Sequence, residues 1–217
     1  RRHRVRGVWA GAEAGVLAAS AAATELGLPG VPPEVAKCMR DKAAMRAALD
    51  RAGVPNAAYR EAADLRAAEK AAAELGLPVI VKPADGNASK GVRAVDHPAD
   101  IALAFASAAK RAASGRVLIE EFIEGPEFNV DGLVHEGRFF LGGITGKVVS
   151  PLPHRFDTAI YMPTGLGEAV ENDIAAAVAR ALEAVGYRTG AAHVEVILSP
   201  KGPRIVEMAG RPGGGRI

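Results

Sequence analysis

Apolar positions along the chain repeat with two periods, and the switches between them lay out the elements. Segments with helical spacing or helix-forming composition cover Ala14–Leu26, Asp41–Ala52, Asp64–Leu75, Pro98–Ala113 and Gly167–Val185. Capping chemistry bounds them: Asp41 and Asp64 precede two of them, and Gly27, Gly53, Gly76 and Gly186 stop four. Short β-branched or alternating runs predict strands at Gly7–Ala10, Leu77–Pro83, Val92–Val95 and Arg116–Ile123. Two hairpins follow, one joining Phe128–Val134 to Arg138–Val149 around His135-Glu136-Gly137, the other closing the chain over Gly190–Gly215. Pro151–Pro163 reads as irregular. Antiparallel hairpins mixed with helices give an α+β plan.

The terminal hairpin carries the sharpest chemical signal. Its two apolar runs flank Ser199-Pro200-Lys201-Gly202-Pro203, which predicts a three-residue loop, Pro200–Gly202. Paired residue numbers would then sum to 402, as Glu195 and Glu207 do. In that register the two carboxylates stand opposite each other on one face, with Cβ atoms about 4.5–5.5 Å apart. A divalent cation turns that repulsion into ligation by hard oxygen donors. A register slipped by one residue would leave two unrelated acidic side chains.

Composition narrows the picture. The chain has 217 residues, 49% of them hydrophobic, enough for one large or two small domains. Twenty-seven Lys and Arg against 25 Asp and Glu give a formal net charge of +2, which argues against a general nucleic-acid or membrane binder. Cys38 is the single cysteine, so an internal disulfide is excluded and the cytoplasm is the default compartment. Glu13 interrupts the small apolar stretch 8–23, and no 18-residue apolar run predicts a membrane-spanning helix.

Further candidates are basic or glycine-rich. Asp85-Gly86-Asn87-Ala88-Ser89-Lys90-Gly91 can turn tightly and aim successive N–H groups at an anion, although an ordinary turn fits equally well. Lys82 ends a buried Val-Ile-Val strand just before that loop, a costly place for an ammonium group that meets no anion. Lys42 begins a helix, where its charge opposes the dipole and a bound phosphate would relieve it. In Leu118–Glu127 apolar residues flank clustered carboxylates, and Pro126 frees backbone groups from ladder pairing. Such an edge can meet an adenine ring, or serve only as an acidic guard against aggregation. Arg211 precedes three glycines and offers a fork for a carboxylate or phosphate.

Taken in order, Asp41-Lys42-Ala43-Ala44-Met45-Arg46, Val81-Lys82-Pro83, the Asp85–Gly91 loop, Glu120–Glu127, Glu195 and Glu207-Met208-Ala209-Gly210-Arg211 resemble the ATP-grasp superfamily. The closest kind is its carboxylate–amine ligases of the L-amino-acid-ligase type. The resemblance covers Val35–Ile217 and implies an ATP-grasp fold in which two α+β subdomains clamp a nucleotide. Residues 1–35 would end a preceding domain, 36–114 form the small subdomain, and 115–217 the large one.

By that resemblance ATP and Mg²⁺ are the cofactors. Lys42 and Lys82 would contact phosphates, and Ser89, Lys90 and Gly91 belong to the loop closing over them. Glu120, Glu121, Phe122 and Ile123 would hold adenine, and Glu127 the ribose. Glu195 and Glu207 would bind Mg²⁺. Arg211 and His193 would be catalytic, Arg211 steadying the transferred phosphoryl group or the acyl-phosphate and His193 contacting phosphate or substrate, and Lys147 would face the γ-phosphate. His154, Arg155 and Asp157, in the segment 151–163, could touch substrate or simply be exposed, with exposure the favoured reading. The implied partners are a small carboxylate and an amine, of amino-acid type, in a cytoplasmic enzyme often found as a homodimer. A carboxylase-type member and a non-catalytic ATP-binding module are the alternatives. One departure stands out: the superfamily often places an Asn where this chain has Ala209.

Overall fold

The computed structural model describes residues 4–86 and 90–214. Its described elements build two antiparallel sheets, a four-stranded one ordered β1-β4-β2-β3 and a five-stranded one ordered β7-β6-β5-β8-β9. The α+β plan is as expected.

The small sheet comprises β1 (Tyr59–Ala62), β2 (Val79–Pro83), β3 (Arg93–Val95) and β4 (Val117–Glu121). Its strands alternate cleanly. Val79, Val81, Val117 and Ile119 pack against the helices α4 (Leu65–Leu75) and α5 (Ile101–Ala109). Ile80, Lys82 and Glu120 point the other way, into a cleft. The side chain of Asp64 caps α4 by accepting from Ala67 N–H at 2.8 Å.

The large sheet comprises β5 (Glu127–His135), β6 (Arg138–Val149), β7 (Asp157–Tyr161), β8 (Gly190–Ser199) and β9 (Gly202–Ala209). Phe128, Val130, Ile144, Val194, Val196 and Met208 form its core face, covered by α6 (Glu168–Ala184). The helices α1 (Val16–Glu25), α2 (Pro33–Arg40) and α3 (Lys42–Arg51) add Val16, Val35, Met39, Met45 and Leu49 to that same core. The opposite face carries Glu127, Asn129, Asp131, His193 and Glu195, as period-two geometry requires.

Several expectations change. Residues 7–10 form no strand; Val8 N–H reaches Pro29 O at 3.2 Å without a ladder. Helix α2 and strand β1 emerge where no element was expected, and β7 runs through the segment read as irregular. All three are short, and β1 and β7 are polar or exposed edge strands with little apolar alternation to betray them.

The expected division also shifts. Strand β4, assigned to 115–217, pairs with β1 and β2 in the small sheet. Helix α3, assigned to 36–114, buries its apolar face in the core of the large sheet. Residues 16–35, read as the end of another domain, share that core through Val16, Val31 and Val35.

The terminal hairpin differs in detail. Ser199 pairs with Gly202, so the turn holds two residues, Pro200 and Lys201. Pairing continues as Leu198 with Pro203, Ile197 with Arg204 and Val196 with Ile205. A β-bulge then leaves Val206 unpaired, and Glu195 stands opposite Glu207.

Candidate active site

Between the two sheets lies a cleft of about 810 Å³, counting the space open to solvent. The small sheet contributes Ile80, Lys82 and Glu120, and the chain beyond β4 adds Phe122 and Ile123. The large sheet contributes Glu127, Lys147, Glu195 and Glu207, and α3 contributes Lys42 and Arg46. Of the expected nucleotide-contacting residues, Lys42, Lys82, Lys90, Glu120, Glu121, Phe122, Ile123 and Glu127 all line this cleft. Gly91 lies just outside it, and Ser89 lies outside the described residues.

Lys42 sits at the first turn of α3, which Asp41 caps by accepting from the N–H groups of Ala43 and Ala44 at 3.0 and 3.2 Å. Its own backbone N–H donates to Ala84 O at 2.8 Å, pinning the helix start to the end of β2. Its ammonium group donates to Gly86 O at 2.7 Å and pairs with Glu207 at 3.2 Å. Lys42 is therefore buried at the junction of glycine loop, helix and large sheet. The base of the loop is fixed by Asp85, whose carboxylate accepts from Ala113 and Ser114 N–H at 3.0 and 2.8 Å.

Lys82 is 4% exposed and pairs with Glu120 at 2.7 Å. Arg46 clasps the same carboxylate through Nε at 3.0 Å and Nη2 at 3.1 Å. Burial pushes the Lys82 ammonium below its ordinary pKa, against the pull of Glu120. Burial alone would raise the Glu120 carboxyl, but Arg46 and Lys82 outweigh it and hold it down at about 2. Both Glu120 oxygens are thus engaged within the protein, by Arg46 and Lys82. Nearby, Glu121 N–H donates to Ala58 O at 2.9 Å and Phe122 N–H to Pro78 O at 3.3 Å. Ile123 N–H has no acceptor among the described residues.

On the opposite wall Lys147 is almost wholly buried and meets three carboxylates: Glu195 at 2.9 Å, Asp157 at 3.0 Å and Glu127 at 3.3 Å. Burial pulls its pKa down, yet these neighbours prevail and leave it raised. Arg155 also pairs with Glu127 and lies over the Phe122 ring, 5.3 Å from the centroid. This overturns the expectation of an exposed Arg155. Its local sequence does not name Glu127 and Phe122 as its partners, because only the fold returns its loop to the cleft. Arg46 likewise read as one more helix residue.

Glu195 and Glu207 face each other across β8 and β9, each with one oxygen held by a lysine. Among the described residues no group of three or more His, Cys, Asp and Glu side chains could hold a metal. The pair nonetheless suits Mg²⁺, which takes one or two carboxylates alongside waters and substrate phosphates.

The two residues expected to be catalytic lie outside the cleft lining. His193 follows the face of β8 two residues from Glu195, and its Nδ1 lies 3.0 Å from Asp131, which also accepts from Gly213 N–H at 2.9 Å. The Arg211 guanidinium turns to Glu13 at 2.9 Å, and Glu13 also pairs with Arg40 at 3.3 Å.

Known proteins resemble this chain in sequence and fold. An uncharacterized Sinorhizobium fredii protein, y4rH, is 30% identical over 216 residues, covering 96% of this chain and 44% of its own length. A D-alanine–D-alanine ligase from Stutzerimonas stutzeri is 34% identical over 164 residues, covering 69% of this chain and 48% of that protein. The crystal structure of an L-amino acid ligase from Bacillus licheniformis superposes with a TM-score of 0.83 at 29% identity, over 96% of this chain and 49% of that one. The chain thus spans about half the length of the curated relatives it matches. The family described as ATP-grasp domain matches residues 75–217. With that match covering well over half its length and the two-sheet cleft in place, the chain belongs to the ATP-grasp family.

Proposed function

We propose that this chain is the nucleotide-binding part of an ATP-dependent carboxylate–amine ligase. A carboxylate oxygen attacks the γ-phosphorus of ATP, giving an acyl-phosphate and ADP. An amine then attacks the acyl carbon and expels phosphate, leaving an amide. The observation that carries this reading is the convergence of Lys42, Lys82 and the Glu195–Glu207 pair in one cleft between two sheets.

In this reading Lys42 and Lys82 neutralise the phosphates, and Glu120 orients Lys82. The loop bearing Ser89, Lys90 and Gly91 closes over the β- and γ-phosphates. Backbone groups of Glu121 and Ile123 meet the adenine edge, Phe122 packs on its face, and Glu127 takes the ribose. Glu195 and Glu207 would hold Mg²⁺, which supplies charge neutralisation at the triphosphate. Positioning and electrostatics supply the rate enhancement, and no covalent nucleophile is needed. His193, on β8, and Arg211, just beyond the end of β9, would face the acyl-phosphate end. Amino acids are the proposed substrates, because the named ligases act on alanine or L-amino acids.

No helix among the described residues is long and apolar enough to cross a membrane. Cytoplasmic residence and a homodimer belong to the same proposal. The test is to incubate the protein with ATP, Mg²⁺ and pairs of amino acids and to follow phosphate release. Release dependent on both amino acids and lost in Glu207→Gln is expected. Release that Glu207→Gln leaves unchanged would remove Glu207 from the metal site.

A further inference from the structure

The bulge at Val206 has a holder. Arg46 is 1% exposed, and its guanidinium donates to two successive carbonyls of β9, Ile205 O at 2.6 Å and Val206 O at 2.9 Å. Val206 is the unpaired residue of the bulge, and Ile205 is the last paired residue before it. A bulge disrupts the ladder locally and leaves backbone groups unpaired, and a buried carbonyl without a donor is costly. The guanidinium supplies donors to both carbonyls, and Ile205 N–H donates to Pro55 O at 3.1 Å. The rest of the guanidinium grips Glu120 on the small sheet.

The bulge decides where Glu207 points. Val196 pairs with Ile205, so an unbulged strand would next set Val206 opposite Glu195 and Glu207 opposite Val194, on the core face. Absorbing one residue returns Glu207 to the rung of Glu195 and to the cleft.

We infer that Arg46 is a positioning residue for the metal site: by clasping the carbonyls of Ile205 and Val206 it fixes the bulge that sets Glu207 opposite Glu195. Its grip on Glu120 ties that register to the lysine-bearing strand β2. This inference rests on the proposed metal role of Glu195 and Glu207.

Arg46→Lys tests it. Lysine keeps a positive charge beside Glu120 but cannot fork to two carbonyls and a carboxylate together. Mn²⁺ binding is read by electron paramagnetic resonance with a non-hydrolysable ATP analogue present, and analogue binding is read separately in excess EDTA. Arg46→Lys is expected to weaken Mn²⁺ binding by about tenfold or more, the range for partners that orient metal ligands. Analogue affinity in EDTA should change far less. Deleting Val206 provides the rescue, because the next residue after Ile205 is then Glu207 and the register needs no bulge. In that background Arg46→Lys should cost little Mn²⁺ affinity.

Unchanged Mn²⁺ binding in Arg46→Lys, equal losses of metal and analogue affinity, or an undiminished cost after Val206 deletion each overturn the inference. If Arg46→Lys fails to fold, recovery of folding and Mn²⁺ binding on deletion of Val206 supports it, and no recovery overturns it. Wild-type protein that binds the analogue but no Mn²⁺ overturns the metal reading itself, and this inference falls with it.

Discussion

Glu195 and Glu207 stand opposite each other across β8 and β9, and the turn joining those strands does not by itself put them there. The two-residue turn sets a register whose paired numbers sum to 401, and the bulge at Val206 raises the sum to 402. Two deviations from the expected hairpin cancel from the rung of Glu195 and Glu207 onward, through Val194 with Met208 and His193 with Ala209. Each carboxylate is meanwhile held by a lysine from a different element, Lys42 from α3 and Lys147 from β6. Those lysines occupy the oxygens that a cation would use, and a triphosphate would draw them away.

That arrangement predicts how free metal behaves. Lys147→Met leaves Glu127, Asp157 and Glu195 around a neutral side chain, so a divalent cation replaces the missing ammonium. Mn²⁺ binding without nucleotide, read by electron paramagnetic resonance, should tighten about tenfold relative to wild type. Unaltered binding would show that Lys147 does not compete with metal at Glu195.

A second prediction concerns acid. Glu120 has an ordinary pKa of 4.5, which Arg46 and Lys82 hold down to about 2 in the fold despite its burial. Between these values the unfolded chain binds more protons, so stability falls as pH falls. The contribution is complete above about 4.5 and lost below about 2, and is on the order of 3 kcal/mol. Urea unfolding of wild type and Glu120→Gln should therefore give stabilities that converge as the pH is lowered through this window. A difference that stays constant from pH 5.5 to pH 3 would count against the pairing.

Much of this site was legible because its signals are local. Lys82 follows a Val-Ile-Val strand, Asp41 and Lys42 open a helix, and Glu195 and Glu207 lie in opposed apolar runs; all three patterns survive in the fold. What stayed hidden depends on distant contacts. Nothing near Arg46 in sequence announces that its partners are Glu120, Ile205 and Val206. Arg155 sits in a proline-rich stretch with no periodicity, and only the path of β6 and β7 brings it over Phe122. The lobe boundary was misplaced for a related reason, since strand order is set by long-range pairing: β4 joins the sheet of β1 and β2 while the next strand, β5, joins the other.

Asp41 should divide into two contributions. One oxygen accepts from Ala43 and Ala44 N–H, and the other pairs with Arg116. Asp41→Ala removes both and should cost about 1–2 kcal/mol, most of it the lost cap. Asp41→Asn keeps a capping oxygen and should recover most of that loss, because the Arg116 pair is partly exposed. Chemical denaturation of the three proteins checks the ranking. An Asn variant as unstable as the Ala variant would assign the stability to the ion pair instead.

The link between the two sheets gives a stricter test. Gly125 and Pro126 carry the chain from β4 to β5, and Leu198 N–H donates to Pro126 O at 3.0 Å. Gly125 has φ of +146°, and a Cβ there would lie 2.3 Å from Leu198 O. That carbonyl belongs to β8, which is paired on both sides, so it cannot swing away as a flexible side chain would. Gly125→Ala therefore combines an unfavourable backbone region with a backbone collision and should cost about 3 kcal/mol or more. Gly53 also has positive φ, +63°, but no atom lies within 4 Å of a Cβ built there. Gly53→Ala should cost only about 1–2 kcal/mol, the strain of the left-handed conformation alone. The two variants also diverge in binding. Any shift of the β4–β5 link moves Phe122 and Ile123 relative to Glu127, so Gly125→Ala should weaken binding of an ATP analogue, whereas Gly53→Ala, at the far end of α3, should not. Equal stability losses with equal analogue affinities would mean that the link bends freely, and the cleft would not depend on a fixed crossing between the sheets.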